Sequence, residues 1–226
     1  MAVRIIRTED GSQSLYDEKL NETYHSTKGA RAESEYVFLK MGLEAMSHQL
    51  IVERPQTHVL EIGFGTGLNA WLTWKWAVEK QLPIHFHTLE PFPVSMDMVR
   101  EMELAADEHF LNVHEAKWNE TTPLDTFFSL EKSTNKLEEV KLTGAYDCIY
   151  FDAFAPSKQP EVWSLENLQK CFKALKPDGI LTTYCAQGQF KRNLTAVGFE
   201  VEVLPGALGK KEMVRGRKIL VNSIDE

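Results

Sequence analysis

From His58 onward, short β-rich runs take turns with stretches of helical spacing, and this alternation constrains the fold more than any other feature of the chain. His58 to Ile62 precedes a helix that starts at Leu68, and Ile84 to Leu89 precedes one near Val94 to Ala106. Leu111 to His114 reads as a third strand, with a weak helix near Leu124 to Leu130 after it. Asp147 to Phe151 is followed by a helix near Glu161 to Leu175, and Ile180 to Tyr184 by one near Gln189 to Val197. Such alternation predicts a parallel sheet with helices on both faces. Glu200 to Leu204 and Lys218 to Val221 follow with no helical pattern between them, which predicts a closing hairpin and one antiparallel strand in the sheet. The expected fold is therefore α/β, a mostly parallel seven-stranded sheet with a C-terminal antiparallel strand.

Ahead of this core, residues 3–16 alternate around Asp10-Gly11, a tight-turn sequence, and Ala32 to Gln49 carries apolar residues at helical spacing. With 226 residues, 43% of them apolar, the chain is long enough for one α/β core and short for two. The expectation is a single domain over residues 1–226, with 1–50 as an N-terminal hairpin and helix extension and 51–226 as the core. The polar run Glu131 to Thr143 reads as a surface insertion.

A net charge of −8 argues against an unspecific nucleic-acid coat, because such binding draws on many cations that neutralise phosphates. It leaves room for a local patch. Lys191, Arg192, Lys210, Lys211, Arg215, Arg217 and Lys218 cluster near the C-terminus against only Glu200, Glu202 and Glu212, and on charge alone they read as a solvated face. Cys148, Cys171 and Cys185 show no Cys-x-x-Cys pairing and read as reduced core thiols. His85 and His87 would share a strand face as packing or surface residues, and no metal is expected. No run approaches the roughly 18 apolar residues of a spanning helix, and no signal-peptide core follows Met1, so the expected location is cytoplasmic, away from membranes.

In Val59-Leu60-Glu61-Ile62-Gly63-Phe64-Gly65-Thr66-Gly67-Leu68-Asn69 a buried strand runs into three alternating glycines and then a helix. Missing Cβ atoms let backbone approach a ligand, and the helix start offers unpaired N–H groups. By itself the glycine pattern fits a structural turn as well as a site; its place after the first core strand favours a ligand at the sheet's switch point. A dinucleotide fingerprint wants Gly or Ala where Leu68 stands, so the spacing favours S-adenosylmethionine over NAD. Glu90, at the end of the second strand, is placed to hold ribose hydroxyls.

A second motif ends the strand at Phe151. Asp152 could orient an amine and take its proton, and Phe154 could stack on a base, although a loop-capping carboxylate and an ordinary core ring fit the same residues. Here Phe151-Asp152-Ala153-Phe154-Ala155-Pro156-Ser157-Lys158-Gln159-Pro160-Glu161-Val162-Trp163 resembles the Asp-Gly-Phe-Ala-Pro-Ala-Lys-Asn-Pro-x-Met-Trp block of the methyltransferase half of the MnmC family, which makes 5-methylaminomethyl-2-thiouridine in tRNA. Glu61 to Asn69, Tyr24-His25-Ser26 with Gly29, Glu33 to Phe38, and Gly206 to Met213 running into Arg215-Gly216 are similar to that family in the same order.

The resemblance implies a Rossmann-like class I S-adenosylmethionine-dependent methyltransferase of the stand-alone, MnmD-like form. It implies methyl transfer to the amine of 5-aminomethyl(-2-thio)uridine at the tRNA wobble position. Glu61, Gly63, Phe64, Gly65, Gly67, Asn69, Glu90 and Asp152 would then bind cofactor, with Asp152 also the catalytic group. Tyr24 and Phe154 would wall the substrate pocket, and Lys158, Lys210 and Lys211 would meet phosphate. The flavin oxidase half of the bifunctional enzymes has no counterpart here, which implies that a separate enzyme supplies the aminomethyl group. Ala116-Lys117 stands where the family has Gly-Asp after the third strand, and His25 and Ala153 replace a Phe and a Gly. Rival readings are an N-methyltransferase of a small molecule or protein, a non-catalytic cofactor-binding module, and, third, an NAD dehydrogenase.

Overall fold

Val59-Leu60-Glu61-Ile62, buried on both faces, forms the middle of the sheet. In the computed structural model, which describes residues 3–46 and 55–219, this strand is β4 (Thr57–Ile62), after the N-terminal strands β1 (Val3–Arg7), β2 (Gln13–Asp17) and β3 (Glu22–Thr23). β5 (Ile84–Leu89) lies parallel to β4 on one side and β8 (Tyr146–Phe151) parallel to it on the other. β7 (Phe128–Ser133) continues the parallel set beyond β5, and β9 (Leu175–Thr183) beyond β8. The closing hairpin of β10 (Glu200–Leu204) and β11 (Met213–Arg217) inserts β11 antiparallel against β9. A short eighth strand, β6 (Thr121–Pro123), pairs antiparallel with β7 at the opposite edge, so the order is β10-β11-β9-β8-β4-β5-β7-β6. The chain reverses direction across the sheet between β4 and β8, and the crevice for ligands opens at their carboxyl ends.

The period of two along each strand sorts side chains onto two faces. Val59, Phe86, Cys148 and Tyr150 pack with the helix Leu68–Lys80, the helix Glu108–Glu115 and the N-terminal helical segment. Leu60, Ile62, Ile149 and Phe151 pack with the helices Leu165–Ala174 and Gly188–Val197. All three cysteines are buried and free, as expected.

Three expectations fail. Leu111 to His114 is not a strand but part of the helix Glu108–Glu115, whose N-terminus the Asp107 carboxylate caps by accepting from the His109 and Phe110 N–H groups. The expected helix near Leu124 to Leu130 is a turn at Asp125 and the start of β7; the Phe127 N–H donates to the Asp125 side chain at 2.7 Å. β7 escaped reading because a lysine sits in its core: Lys132 is fully buried, its ammonium donates to the His114 carbonyl at 2.6 Å and it lies 4.7 Å from the Trp118 ring centre. Burial lowers that ammonium to about 8. The last strand runs over Met213–Arg217 rather than Lys218 to Val221, where Val214 and Gly216 pack inward and Arg215 turns to Glu202 on β10; residues 220–221 lie outside the described residues.

Boundaries shift elsewhere. Val94 to Ala106 splits into the helix Met96–Glu101 and a single turn, Glu103–Ala106. The helix expected from Glu161 starts at Leu165, capped by Ser164. Ala32 to Gln49 is helical over Ala30–Ser34, widens to a π-helix over Glu35–Lys40 and ends in a turn at Leu43–Ala45, with residues 47–49 outside the described ones. The polar run from Glu131 begins inside β7; residues 134–145, which contain no helix or strand, carry Leu137 back into the core.

Candidate active site

The turn after β4 depends on backbone that only glycine holds without strain. Gly63 has φ +95°, and a Cβ there would stand 2.6 Å from the Asp152 carbonyl oxygen; Gly65 has φ +51° and faces the Tyr24 ring. Between them Phe64 is buried, edge-on to His114 and Trp118. At the end of β5, the Glu90 carboxylate accepts from the Gly65 N–H at 3.1 Å and the Phe92 N–H at 2.9 Å. Burial raises its proton affinity, and those N–H bonds oppose the rise.

Gly63, Phe64, Gly65 and Glu90 line one end of a cavity of about 860 Å³. Asp152, at the end of β8, lines it next to them and accepts from the Asn69 side-chain amide at 2.8 Å. Burial pushes its carboxyl well above the usual range; Glu61 and Glu33 add to the rise, while the Asn69 bond and Lys210 counter it. Glu61 lies behind the turn rather than in the cavity wall. It is fully buried, accepts from the Thr88 hydroxyl at 2.7 Å, and is pushed up to about 8 by desolvation, which favours the neutral acid. Gly67 and Asn69 stand behind the wall with it, Gly67 at the start of the helix Leu68–Lys80.

The cavity also has an aromatic wall, Tyr24 edge-on to Phe154 with ring centres 4.9 Å apart, and the Tyr24 ring lies against Gly65 of the turn. Burial pushes the Tyr24 hydroxyl up to about 12. Asp17, Leu20 and Glu22, from the N-terminal strands and their connection, form part of the rim. Lys158 ties that rim down by donating to the Leu20 carbonyl at 2.8 Å and the Asn21 carbonyl at 3.3 Å. Lys210 lines the cavity too, its ammonium paired with buried Glu33, whereas Lys211 is exposed outside it. Glu33, Tyr184 and Leu137 also line the cavity, and the sequence offered no chemical signal for any of the three. His25 donates to or accepts from the Ser14 hydroxyl at 2.9 Å and is lowered by burial to about 4, which keeps it neutral.

Two sequence expectations change in this setting. Ala116 and Lys117 follow a helix, not the third parallel strand, and belong to a separate hollow of about 360 Å³ behind Phe64; Lys117 points out and pairs with Glu120 at 3.5 Å. The segment that does follow the third parallel strand, residues 134–139, supplies Lys136, Leu137, Glu138 and Glu139 to the main cavity. The C-terminal cations are also less available than their clustering suggested. Lys191 pairs with Glu212 at 3.0 Å, Arg215 with Glu202 and Lys210 with Glu33, and Lys218 donates to the Leu175 carbonyl at 2.6 Å. Arg192 and Lys211 stand exposed.

Residues 89–219 match the model of a family described as S-adenosyl-L-methionine-dependent methyltransferase. The chain belongs to that family. S-adenosyl-L-methionine is accordingly its cofactor, and the NAD reading falls. A glycine turn free of Cβ atoms, a carboxylate at the next strand end and a cavity beyond both suit such a molecule, although the Gly63, Gly65 and Gly67 N–H groups already donate to Leu89, Glu90 and Phe64.

Among curated proteins, the methyltransferase chain is similar to the tRNA 5-methylaminomethyl-2-thiouridine biosynthesis bifunctional protein MnmC of Cupriavidus necator, 29% identical over 88% of this chain and 32% of the relative. The MnmC of Pseudomonas fluorescens is 28% identical over 87% of this chain and 32% of the relative. The chain thus spans about a third of the length of these relatives. Among solved structures, MnmC2 from Aquifex aeolicus superimposes with a TM-score of 0.76 at 25% identity, over 99% of this chain and 73% of that one. The CurJ carbon methyltransferase, at 17% identity and a TM-score of 0.52 over 87% of this chain and 57% of that one, shows the same fold. No helix among the described residues is long and apolar enough to cross a membrane.

Proposed function

We propose that this methyltransferase acts on tRNA, transferring the methyl group to the primary amine of 5-aminomethyl(-2-thio)uridine at the wobble position. The observation that carries this reading is the pairing of a buried acid with an aromatic wall. Asp152, Tyr24 and Phe154 share the cavity that begins at the glycine turn, so a flat base and a basic amine are both accommodated within one enclosure. The names of the MnmC relatives support the same substrate, as does the similarity to MnmC2 over nearly the whole chain.

On this reading Gly63, Phe64, Gly65 and Glu90 hold the cofactor, with Glu61, Gly67 and Asn69 shaping the turn from behind. S-adenosyl-L-methionine supplies an electrophilic methyl group when bound. Asp152 accepts hydrogen bonds from the amine, removes its extra proton and holds the lone pair within about 3 to 3.5 Å of its target. The Asn69 amide fixes the Asp152 rotamer by its bond to one carboxylate oxygen. Tyr24 and Phe154, in edge-on contact with each other, form one wall for the uracil ring to stack on and exclude water. Lys158, committed to two hairpin carbonyls, keeps the N-terminal rim over the cavity, and Lys211 and Arg192 meet phosphate. A separate enzyme supplies the aminomethyl group, and the chain works in the cytoplasm as one domain.

Incubation with labelled S-adenosyl-L-methionine and tRNA carrying 5-aminomethyluridine, followed by nucleoside analysis, tests this. Label is expected in 5-methylaminomethyluridine at the wobble position. Label absent from that nucleoside, with cofactor binding intact, overturns the assignment.

A further inference from the structure

Glu33 and Lys210 form a charged pair within the lining of the cavity. Glu33 sits at the end of the helix Ala30–Ser34 with only 8% of its side chain exposed. One carboxylate oxygen accepts from the Ser26 N–H at 2.9 Å and the other from the Lys210 ammonium. Lys210 comes from the other end of the chain, in the loop before β11, and its ammonium lies 5.4 Å from the centre of the Tyr184 ring. The Tyr184 hydroxyl donates to the carbonyl of Ala153, next to Asp152, at 2.8 Å. All four side chains, Glu33, Lys210, Tyr184 and Asp152, line the same cavity. A lysine committed to a buried carboxylate and an aromatic face makes a poor phosphate contact, because turning it outward would strand Glu33.

We propose that Lys210 and Glu33 are positioning residues for the methyl acceptor, an ion pair that acts on the incoming amine through Asp152. The proposal rests on the reading of this end of the cavity as the acceptor site. Asp152 is faced by Glu61 from β4, Glu33 from the N-terminal helix, Lys210 from the C-terminal loop and Tyr184 from the end of β9. His25, which faces Glu33, is neutral and adds no charge. Burial is the largest influence on Asp152, and within the pair Glu33 raises its proton affinity while Lys210 lowers it. An ammonium R–CH2–NH3+ that arrives beside the Asp152 carboxylate passes it one proton, leaving a neutral amine with a free lone pair and a neutral carboxylic acid. The combined charge of the two groups is zero before and after. Glu33 strengthens that acceptance and Lys210 offsets part of it, so the pair tunes how firmly Asp152 takes the proton of the amine. The two opposed charges are held together by their own bond inside the cavity.

The test compares kcat/KM against pH, with tRNA bearing 5-aminomethyluridine, for wild type, Glu33→Gln, Lys210→Met and the double variant. The acidic limb is expected to move down by about one pH unit in Glu33→Gln and up by about one in Lys210→Met, a tenfold change in proton affinity each way. The double variant is expected to fall back near the wild-type limb, since opposed terms cancel within one network. Movements of the same sign, or lower rates with unmoved limbs, overturn the proposal. Carbon-13 titration of the Asp152 carboxyl in the same four proteins needs no acceptor. Opposite movements there support the pair and no movement sinks it, while an inactive wild type sinks only the tRNA assignment. Plots of log tRNA affinity against log salt add a third readout: Lys210→Met leaves the slope unchanged, and a drop of about 0.7 to 0.9 would mark Lys210 as a phosphate contact instead.

Discussion

The two ends of the cavity are built by different means. The proposed cofactor end consists of strand ends and the turn between β4 and its helix, so Gly63, Gly65, Glu90 and Asp152 are placed by the register of β4 against β5 and β8. The proposed acceptor end is assembled from segments outside the parallel sheet: the N-terminal strands, residues 134–139, and the loop before β11. Backbone ladders hold the first end, and side-chain bonds such as Lys158 to Leu20 and Lys210 to Glu33 hold the second. The first end is therefore sensitive to backbone changes and the second to single side chains. Substitutions can break that contrast or sharpen it.

Asp152→Asn, at the junction of the two ends, is expected to have the largest effect. The amide keeps the shape but cannot take a proton, so kcat should fall by about 10² to 10⁴ while the cofactor dissociation constant changes little. Rapid-quench turnover beside calorimetric cofactor binding reads both, and a normal kcat would remove Asp152 from the chemistry. Gly63→Ala comes next. A methyl group 2.6 Å from the Asp152 carbonyl, on a residue at φ +95°, costs about 1–3 kcal/mol in strain and displaces Asp152. Thermal unfolding and cofactor affinity should both drop; if neither moves, the turn is not the rigid element described.

The contrast also explains what the sequence disclosed. The turn after β4 was legible because a strand of apolar residues, a run of glycines and a helix start are contiguous, and contiguous signals survive without tertiary information. The closing antiparallel hairpin was legible in kind for the same reason, although its last strand lies over Met213–Arg217 rather than Lys218 to Val221. β7 was hidden because its pattern is broken by Lys132, whose burial is made tolerable by the His114 carbonyl and the Trp118 ring, partners from distant sequence. Misplacing that strand also misplaced the segment that follows it, so Ala116-Lys117 was read where residues 134–139 belong. Glu33 and Lys210 are 177 positions apart, and nothing local marks either as half of a pair. Tyr184 follows β9 like any aromatic at a strand end, and only the fold brings it beside Asp152.

Phe154→Ala should sharpen the description of the acceptor end. Losing one stacking face costs about 1–3 kcal/mol of base binding, so KM for tRNA is expected to rise roughly tenfold or more with cofactor affinity unchanged. An unchanged KM would mean that the base does not meet this wall, and a matching loss of cofactor affinity would mean that the two ends are not separable.

Glu61→Gln probes the cofactor end from behind and should have the smallest effect, visible only through pH. The Glu61 carboxyl is raised from 4.5 to about 8 in the folded chain. The folded state therefore binds its proton more tightly than the unfolded chain does, and Glu61 costs nothing at pH below the unfolded value. Its unfavourable contribution grows as pH rises from about 4.5 and is complete above about 8, where the buried group ionises. Glutamine imitates the neutral acid, can still accept from Thr88, and has no proton to lose. The variant should match wild type in unfolding temperature near pH 4, then gain on it steadily up to pH 8 and stay ahead beyond. A constant difference across that range would show that Glu61 is ionised in the fold, and the turn would then have a negative charge beneath it, able to attract the cationic sulfonium from behind.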